Sequence, residues 1–289
     1  MKGSEYIELH AHSSHSLLDG VPAPEELIAQ TASCGMPAMA LTDHDGLYGT
    51  VPFIRAAEEA GVKPILGAEL TLENGAHLVL LAETTKGYAN LSQLITLAHR
   101  DQPKGTARLD HQELARHTEG LIALSGCRRG IVARHLVAGK PKRALEAAQR
   151  YGALFGSDHF FIELQRHYLR GDAHLVRDLK ALAEHLELPV AATGDVHYLA
   201  PEQREVHDVL TCIRTHTILD QAGDRLRPND EYGFRSPSAM AALFADTPEA
   251  LSNTVRIAER CASAATFLPK DHQVLPDFET PDATAPDTY

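Results

Sequence analysis

The sequence predicts an α/β fold in which helices cover a parallel β-sheet. Short apolar or β-branched runs alternate with longer stretches of helical period, and this order is typical of parallel strands joined by helices. His, Asp or Glu follows several of the predicted strands, at the end where barrel enzymes assemble their sites. The length of 289 residues allows one α/β barrel or two ordinary domains, so size leaves both architectures open.

Seven segments are short and apolar enough to form buried strands, and the stretches between them have helical period. The helices end close to Gly or Pro, and the last two begin with Ser-Pro or Thr-Pro, a common N-cap and first-turn pair. The expected strands are 6–9, 38–42, 64–68, 76–81, 121–124, 160–164 and 190–193. The expected helices are 24–33, 51–60, 88–99, 131–137, 142–155, 173–185, 236–245 and 248–262.

The predicted organisation has three parts. The main α/β body is expected at 1–235, two helices packed on it at 236–263, and an irregular linker at 264–289. The linker prediction depends on its high proline content and its lack of helical or strand period.

Composition excludes several classes of protein. No apolar run approaches the ~18 residues of a membrane span, and the first residues lack a signal peptide, so we expect a cytoplasmic protein with no membrane contact. Four separated cysteines without a CxxC pair fit a reducing compartment. A net charge of -12 disfavours unaided binding to a phosphate backbone. Glycine-rich phosphate loops are absent, which disfavours the nucleotide-cofactor enzymes that use them.

Imidazole and carboxylate groups gather at the carboxyl ends of four predicted strands. His10 and His12 follow the first strand two residues apart, so both side chains lie on one face, although an HxH pair alone fits ordinary surface or core histidines equally well. Four such strand ends together predict a site with more than one metal ion, of zinc, manganese or iron. The other groups at these ends are His44, Glu69, Asp195 and His197.

Three loop or helix-end residues are further candidates. Asp19 is either a bridging carboxylate or the start of the turn at Gly20 and a cap of the following helix. His99 is either a ligand or a side chain that interacts with a helix C-terminus. Cys127 is either a thiolate ligand or a buried apolar filler. The remaining histidines, such as His77 and His207, have no comparable placement, and we expect surface or packing roles for them.

Arginines beyond strand ends are candidates for phosphate contacts, because a guanidinium can donate two parallel hydrogen bonds to phosphate oxygens. Exposed arginines without any ligand are equally common in proteins. The candidates are Arg128, Arg129 and Arg166.

The segments HAHSSHSLLDG, ALTDHDGLYG, ILGAEL, LIALSGC and ATGDVHYL resemble the PHP family, the polymerase and histidinol phosphatase domains. The resemblance runs from Tyr6 to about Ala262 and is greatest to the PHP domain of bacterial C-family DNA polymerases, the DnaE-type polymerase III alpha subunit and its error-prone relatives. It implies a distorted (β/α)7 TIM-like barrel with a C-terminal helical extension, and a linker that leads toward a polymerase body.

The resemblance also implies a centre of three divalent metal ions, which activate a water molecule. Glu69 and Asp195 are the expected bridging carboxylates. All nine ligand places of the polymerase branch are filled, which favours an active site over a decayed one. The implied ligands are His10, His12, Asp19, His44, Glu69, His99, Cys127, Asp195 and His197.

The function implied by the resemblance is metal-dependent phosphoester hydrolysis, most specifically a 3'-5' exonuclease that acts on a DNA 3' end. The expected partners are that DNA end, the remainder of a polymerase chain and replisome subunits. Two alternatives stay open. One is hydrolysis of a small phosphate ester or of pyrophosphate, and the other is a structural metal-binding module that stabilises the polymerase and docks a proofreading subunit.

Overall fold

The computed structural model describes residues 6–267. None of the helices in this range is long and apolar enough to cross a membrane. The strands are β1 Ala38–Leu41, β2 Lys63–Thr71, β3 His77–Ala82, β4 Leu121–Leu124, β5 Phe160–Leu164 and β6 Val190–Ala192. The helices are α1 Pro24–Ser33, α2 Thr50–Ala60, α3 Thr85–His99, α4 His111–Arg116, α5 Ala133–Val137, α6 Pro141–Phe155, α7 Asp172–His185, α8 Arg204–Arg214, α9 Leu219–Ala222, α10 Pro237–Leu243 and α11 Pro248–Arg260.

The strands form one curled sheet in the order β1-β2-β3-β4-β5-β6. Residues 7–12 include most of the first predicted strand, 6–9. They do not form a regular strand, but they lie between the two edges of the sheet. On one side Ala40 N donates to Glu8 O at 2.9 Å, and on the other His12 N donates to Val196 O at 2.8 Å. The segment thus joins the two edges, and the expected distorted barrel is confirmed.

The direction of β3 differs from the prediction of an all-parallel sheet. β3 pairs antiparallel with both β2 and β4, whereas the other strand pairs are parallel. The connection from β2 to β3 is only residues 72–76, too short for the crossover of a dozen or so residues that parallel neighbours need. It contains Asn74-Gly75, with Gly75 at φ 74°, a sequence typical of a hairpin. The amino end of β3 therefore lies at the carboxyl end of β2.

Alternate residues of the strands point into the barrel. These inward residues are apolar at one end of the barrel and ionisable at the other. In β3 the inward positions Val79 and Leu81 join a buried apolar cluster, and His77 has the same parity at the opposite end. In β5 the inward Phe161 is followed by Glu163, which is also buried. One end of the barrel is therefore apolar, and the other carries ionisable groups.

Helix α11 covers the apolar end of the barrel. Ile257, Ala258 and Cys261 belong to the same cluster as the inward strand residues, and Thr254 Oγ1 accepts a hydrogen bond from Ile7 N at 2.9 Å. The three-part division of the chain stays a prediction. Most of the predicted linker 264–289 lies outside the described residues, and its first residues, Ala264–Thr266, form a 3-10 helix.

Helix α3 approaches the turn before β4 so closely that a glycine is needed at the contact. A Cβ on Gly87 would lie 1.7 Å from the backbone oxygen of Gly120. We expect Gly87→Ala to lower the free energy of unfolding by about 3 kcal/mol or more, because the main chain must move. Gly152→Ala in α6 is the matched control, since its Cβ would meet side chains rather than the main chain: Leu188 at 3.2 Å and Phe160 at 3.9 Å. Urea unfolding of both variants tests this expectation, and equal stabilities would contradict it.

Candidate metal centre

The ionisable end of the barrel brings together side chains that lie far apart along the chain. Glu69 lies near the carboxyl end of β2 and His77 at the amino end of β3. The other groups come from the segments that follow strand ends. Within residues 6–267 the ligand atoms form four groups, each with its atoms within 4.8 Å of one another, and three of the groups share His12 or Glu69. These groups are His10–His12–Asp195, His12–His44–Glu69, Asp19–His197–His207 and Glu69–His77–Cys127.

The spacing of these atoms fits a shared cation. Two ligands of a tetrahedral ion, each about 2.1 Å from it, lie about 3.4 Å apart. His10 Nε2 is 3.5 Å from Asp195 Oδ1 and 3.6 Å from Glu69 Oε1. Neither His10 Nε2 nor His12 Nε2, both fully buried, has a hydrogen-bond partner among the described residues. Buried polar atoms of this kind are rarely left without a partner, so the donor set fits divalent metal ions.

Glu69 connects two of the groups through its two oxygens. Oε1 lies 3.0 Å from His77 Nδ1, and Oε2 lies 3.1 Å from His44 Nδ1. Cys127 Sγ is 3.6 Å from the same His77 nitrogen. Glu69 is 1% exposed, so solvent does not compete for either oxygen. The arrangement suits a carboxylate that bridges two ions.

The ligand groups contain all but one of the residues predicted as ligands. The exception is His99, whose Nε2 lies 2.7 Å from the backbone oxygen of Asp45, so this ring nitrogen is already partnered. His77 lies at the centre instead, because β3 runs antiparallel to its neighbours. The expectation that His77 has only a surface or packing role is therefore not supported. The Asn-Gly turn before it was the sequence signal for this reversal.

His207 is a second histidine that the sequence did not single out. It lies on α8 with its Nε2 3.7 Å from Asp19 Oδ1. Asp19 also lies 3.2 Å from His44 Nε2 and 3.4 Å from His197 Nδ1. Asp19 thus reaches the centre rather than capping α1, where Ala23 is the N-cap residue. A histidine within a helix that follows the last strand carries no local pattern that would mark it.

Two buried hydrogen-bond networks fix the orientation of His10 and His12. His10 Nδ1 donates to Glu163 Oε1 at 2.6 Å, and Gln165 Nε2 donates to the same oxygen at 2.8 Å. Ser16 Oγ donates to Asp43 at 2.7 Å, which leaves this hydroxyl to accept from His12 Nδ1 at 3.2 Å. In both histidines the Nδ1 hydrogen is used, so the lone pair of Nε2 is left for the ligand group.

We expect Glu163→Gln to weaken metal binding about 10- to 100-fold, because the carboxylate orients His10 and raises its basicity. A competition titration with a chromophoric chelator measures the affinity. Glu187→Gln on the surface is a matched control that should leave it unchanged. An unchanged affinity in Glu163→Gln would show that His10 does not need this hydrogen bond.

The charges of the site depress the pKa values of its carboxylates. Burial opposes ionisation of both Glu69 and Asp195. The neighbouring His77, His44 and His10 nevertheless hold the pKa of Glu69 well below the usual range. His10 and His197 do the same for the pKa of Asp195. Burial lowers the pKa of His12 to about 4 with help from the cationic forms of His44 and His197, so His12 is neutral. Burial and the nearby Glu69 and Asp195 raise the pKa of the Cys127 thiol well above its usual value.

Metal affinity should rise with pH. Burial lowers the pKa of His44, but Glu69 and Asp19 outweigh it and raise this pKa to about 9. His44 is therefore protonated at pH 7, and a metal ion must displace that proton to bind there. Below pH 9 each unit of pH should change the affinity up to about tenfold per displaced proton. Zinc titrations at pH 7 and 8 test this, and a flat profile would contradict it.

The centre lies at the floor of a cleft of about 680 Å³. Two of the predicted phosphate contacts, Arg128 and Arg129, line this cleft, although Arg128 already pairs with Asp172 at 2.5 Å. The third, Arg166, is not in the cleft: it pairs with Asp246 at 2.8 Å and lies over the ring of Phe244. The structure therefore does not place Arg166 at the centre. Further arginines do line the cleft, namely Arg108, Arg214, Arg225 and Arg227.

Comparison with known proteins matches the chain to one protein family and to longer curated proteins. The PHP domain family matches residues 8–167. The chain is 44% identical to an error-prone DNA polymerase of Symbiobacterium thermophilum over 98% of its own length and 27% of that protein. It is 35% identical to a DNA polymerase III subunit alpha of Treponema pallidum, over 97% of its length and 25% of that protein. The chain thus spans about a quarter of the length of these curated relatives.

Among solved structures, an amidohydrolase from Chromobacterium violaceum with bound sulfate and no metal matches 66% of the chain and 87% of its own, at a TM-score of 0.45 and 19% identity. The family match covers more than half of the chain and includes the strand-end residues from His10 to Cys127. On this evidence the chain belongs to the PHP domain family, and over nearly its whole length it is similar to a region of error-prone DNA polymerases and DNA polymerase III alpha subunits.

Proposed function

We propose that the chain is a metal-dependent phosphoester hydrolase. The observation that carries this proposal is a set of four neighbouring ligand groups at a cleft lined by arginines. Three of the groups share His12 or Glu69, and the fourth lies beside them, with Asp19 3.2 Å from His44. Carboxylates and imidazoles bind divalent ions, and guanidinium groups bind phosphate oxygens. A site that combines both is suited to hold a phosphate against metal.

More specifically, we propose a 3'-5' exonuclease that acts on a DNA 3' end beside a polymerase body. This step rests on the similarity to polymerases, of which the chain spans about a quarter. The acidic chain, with a net charge of -12, fits a domain that relies on neighbouring parts of a polymerase for most of its DNA affinity. The remaining polymerase chain and other replisome subunits are the proposed partners.

The chain's own residues have distinct tasks in this proposal. His10, His12 and Asp195 would hold one ion, Glu69, His77 and Cys127 a second, and Asp19, His197 and His207 a third. Divalent ions at such a site lower the pKa of a water molecule and stabilise a leaving oxygen. Zinc, manganese and iron all suit these ligands. Burial excludes bulk water from the ligands, and Arg129 at the cleft wall orients the phosphate.

A single-stranded oligonucleotide with a 5' label tests the exonuclease directly. The metal-loaded protein should shorten it stepwise from the 3' end, whereas Asp195→Asn should not, because it removes a ligand. Asp178→Asn on the exposed face of α7 is the matched control and should retain activity.

Other outcomes would overturn the exonuclease. Release of phosphate from small esters or from pyrophosphate with an intact oligonucleotide would indicate a small-phosphate hydrolase. No turnover of any substrate, with loss of thermal stability on chelation, would indicate a structural metal module.

A further inference from the structure

Asp195 presents one carboxylate oxygen to three imidazoles. Its Oδ1 lies 3.5 Å from Nε2 of His10, 3.5 Å from Nε2 of His12 and 3.1 Å from Nε2 of His197. The backbone that aims this oxygen is unusual, because Asp195 has φ 48°, in the left-handed region that residues other than glycine rarely adopt. Such a conformation persists where the surrounding structure fixes it. The contacts that hold this turn therefore decide where the Asp195 oxygen lies.

Gly194, the residue before Asp195, is held at both of its backbone polar groups by buried side chains. Its N–H donates to the Glu8 carboxylate, with the nitrogen 3.1 Å from Oε1 and 3.0 Å from Oε2. Its carbonyl oxygen accepts from His167 Nε2 at 2.9 Å. Glu8 and His167 are each 1% exposed, so water does not compete for these hydrogen bonds. These two side chains are called the Gly194 clamp below.

Glu8 also contacts the segment that supplies the first two histidines. Its Oε1 accepts from His10 N at 3.0 Å, and its Oε2 accepts from the Tyr6 hydroxyl. Since His10 and Asp195 belong to one ligand group, a single carboxylate fixes the main chain beside two of its three members. Neither Glu8 nor His167 belongs to a ligand group in the described part of the chain. A metal ion would therefore respond to them only through the ligands that they orient.

His167 is itself held in place by contacts away from the ligands. Its ring stacks on Tyr232, with the ring centroids 3.9 Å apart and 12° between the planes. Its backbone N–H donates to Asp172 Oδ2 at 2.9 Å, and its carbonyl oxygen accepts from Asn229 Nδ2 at 2.6 Å. The ring is therefore a fixed donor toward the carbonyl oxygen of Gly194.

The close approach of Glu8 requires a glycine at position 194. A Cβ on Gly194 would lie 2.5 Å from Glu8 Oε2 and 3.1 Å from a methyl carbon of Val196. An alanine there would force the turn and the Glu8 carboxylate apart.

We propose that Glu8 and His167 are positioning residues, which clamp Gly194 and so set the turn that presents Asp195 to the metal ions. Without the clamp, Asp195 can leave the left-handed region, and its oxygen then leaves the common point between the three imidazoles. The clamp acts on the affinity and coordination geometry of the ions and not only on the stability of the fold. The inference deepens the proposed function and rests on it only for the consequence that a displaced Asp195 slows phosphoester hydrolysis.

Two substitutions of His167 separate its hydrogen bond from the bulk of its ring. His167→Leu fills much of the same space but cannot donate, whereas the amide of His167→Gln can place an N–H near the position of Nε2. His174→Leu, at an exposed position of α7, is the matched control. A competition titration with a chromophoric chelator gives the zinc affinity of each protein, and the visible absorption of the cobalt-substituted protein reports the coordination geometry. Both are measured at a temperature at which circular dichroism shows that the metal-free protein is folded.

We expect His167→Leu to weaken zinc binding about 10- to 100-fold and to change the cobalt spectrum, because it removes a group that orients a ligand. His167→Gln should restore most of the affinity and the spectrum of the parent protein. Gly194→Ala disturbs the same turn from the side of Glu8, so it should also weaken zinc binding about tenfold or more. Gly233→Ala is its control, because its Cβ would make only an ordinary contact, 3.5 Å from the ring of Tyr198.

A zinc affinity and a cobalt spectrum of His167→Leu equal to those of His174→Leu would overturn the proposal. An equal loss in His167→Leu and His167→Gln would also overturn it, since the ring and not its hydrogen bond would then matter. If His167→Leu does not fold, Gly194→Ala decides, and an affinity equal to that of Gly233→Ala contradicts the clamp.

Failure of the proposed function has a different signature. A protein that shows these differences in metal binding but cleaves no phosphoester contradicts the hydrolase and supports the clamp. A protein that cleaves phosphoesters, with the same metal binding in all variants, supports the hydrolase and contradicts the clamp.

Discussion

Glu69→Gln should remove at least one metal ion from the centre and reduce phosphoester hydrolysis by more than the ~10- to 100-fold typical of residues that only support a ligand. The two carboxylate oxygens of Glu69 face different ligand groups, through His44 and His77. An amide keeps one oxygen but replaces the other with an NH2 group, which has no lone pair for a metal. Mass spectrometric metal analysis and hydrolysis of bis(p-nitrophenyl) phosphate measure the two effects.

Glu73→Gln is the matched control, because this exposed glutamate lies in the turn after β2 and outside the ligand groups. It should retain the metal content and activity of the parent protein. A Glu69→Gln protein with full metal content and activity would show that Glu69 does not bridge two ions.

Removal of the metal ions by a chelator should lower the thermal midpoint of unfolding on the order of 5–10 °C per ion. A ligand at 100 times its dissociation constant contributes about 2.7 kcal/mol, and each kcal/mol shifts the midpoint of a chain near this size by about 2–4 °C. The cause is local: without metal ions, the buried carboxylates of Asp19, Glu69 and Asp195 are balanced by histidines and, at Asp19, by Arg214. Differential scanning calorimetry with and without chelator measures the shift.

The Glu69→Gln variant gives an internal control for this experiment. Since it should already lack an ion, its midpoint should respond less to the chelator than that of the parent protein. A parent protein whose midpoint does not change on chelation would mean that metal makes no contribution to the folded state, and that the four groups are held together by hydrogen bonds alone.

Local sequence patterns were sufficient for most of the barrel. The segments 121–124 and 160–164 were predicted with the bounds that β4 and β5 have, because short runs of apolar residues between turn signals have few alternatives to a buried strand. The strand-end positions of His10, His12 and Asp195 also followed from sequence, since the carboxyl ends of parallel strands share one edge. The structure brings these three within one ligand group, and their role in metal binding stays a prediction.

Two features of the site could not be predicted from local sequence, because they depend on the direction of a strand and on contacts between distant segments. His99 ends α3, and its place in the sequence does not reveal that its ring lies against Asp45 O. His77 was not selected from the sequence, because it begins a predicted strand rather than following one. In an all-parallel sheet the start of β3 would lie at the end of the barrel opposite the ligand groups. One hairpin reverses that strand and moves His77 to the centre. The direction of one strand therefore changes which side chains meet in the ligand groups.

Residue identity and short periodicities are local properties of the chain, so they were enough to predict the apolar strands and the kinds of ligand at the strand ends; the resemblance to the PHP family added the barrel. The folded structure was needed to show that Glu163 orients His10, that His207 joins Asp19, and that Arg227 reaches His197. Each of these contacts joins residues from different segments. The distances between these residues depend on how the sheet curls and on where the helices pack. Local spacing in the sequence does not encode such distances.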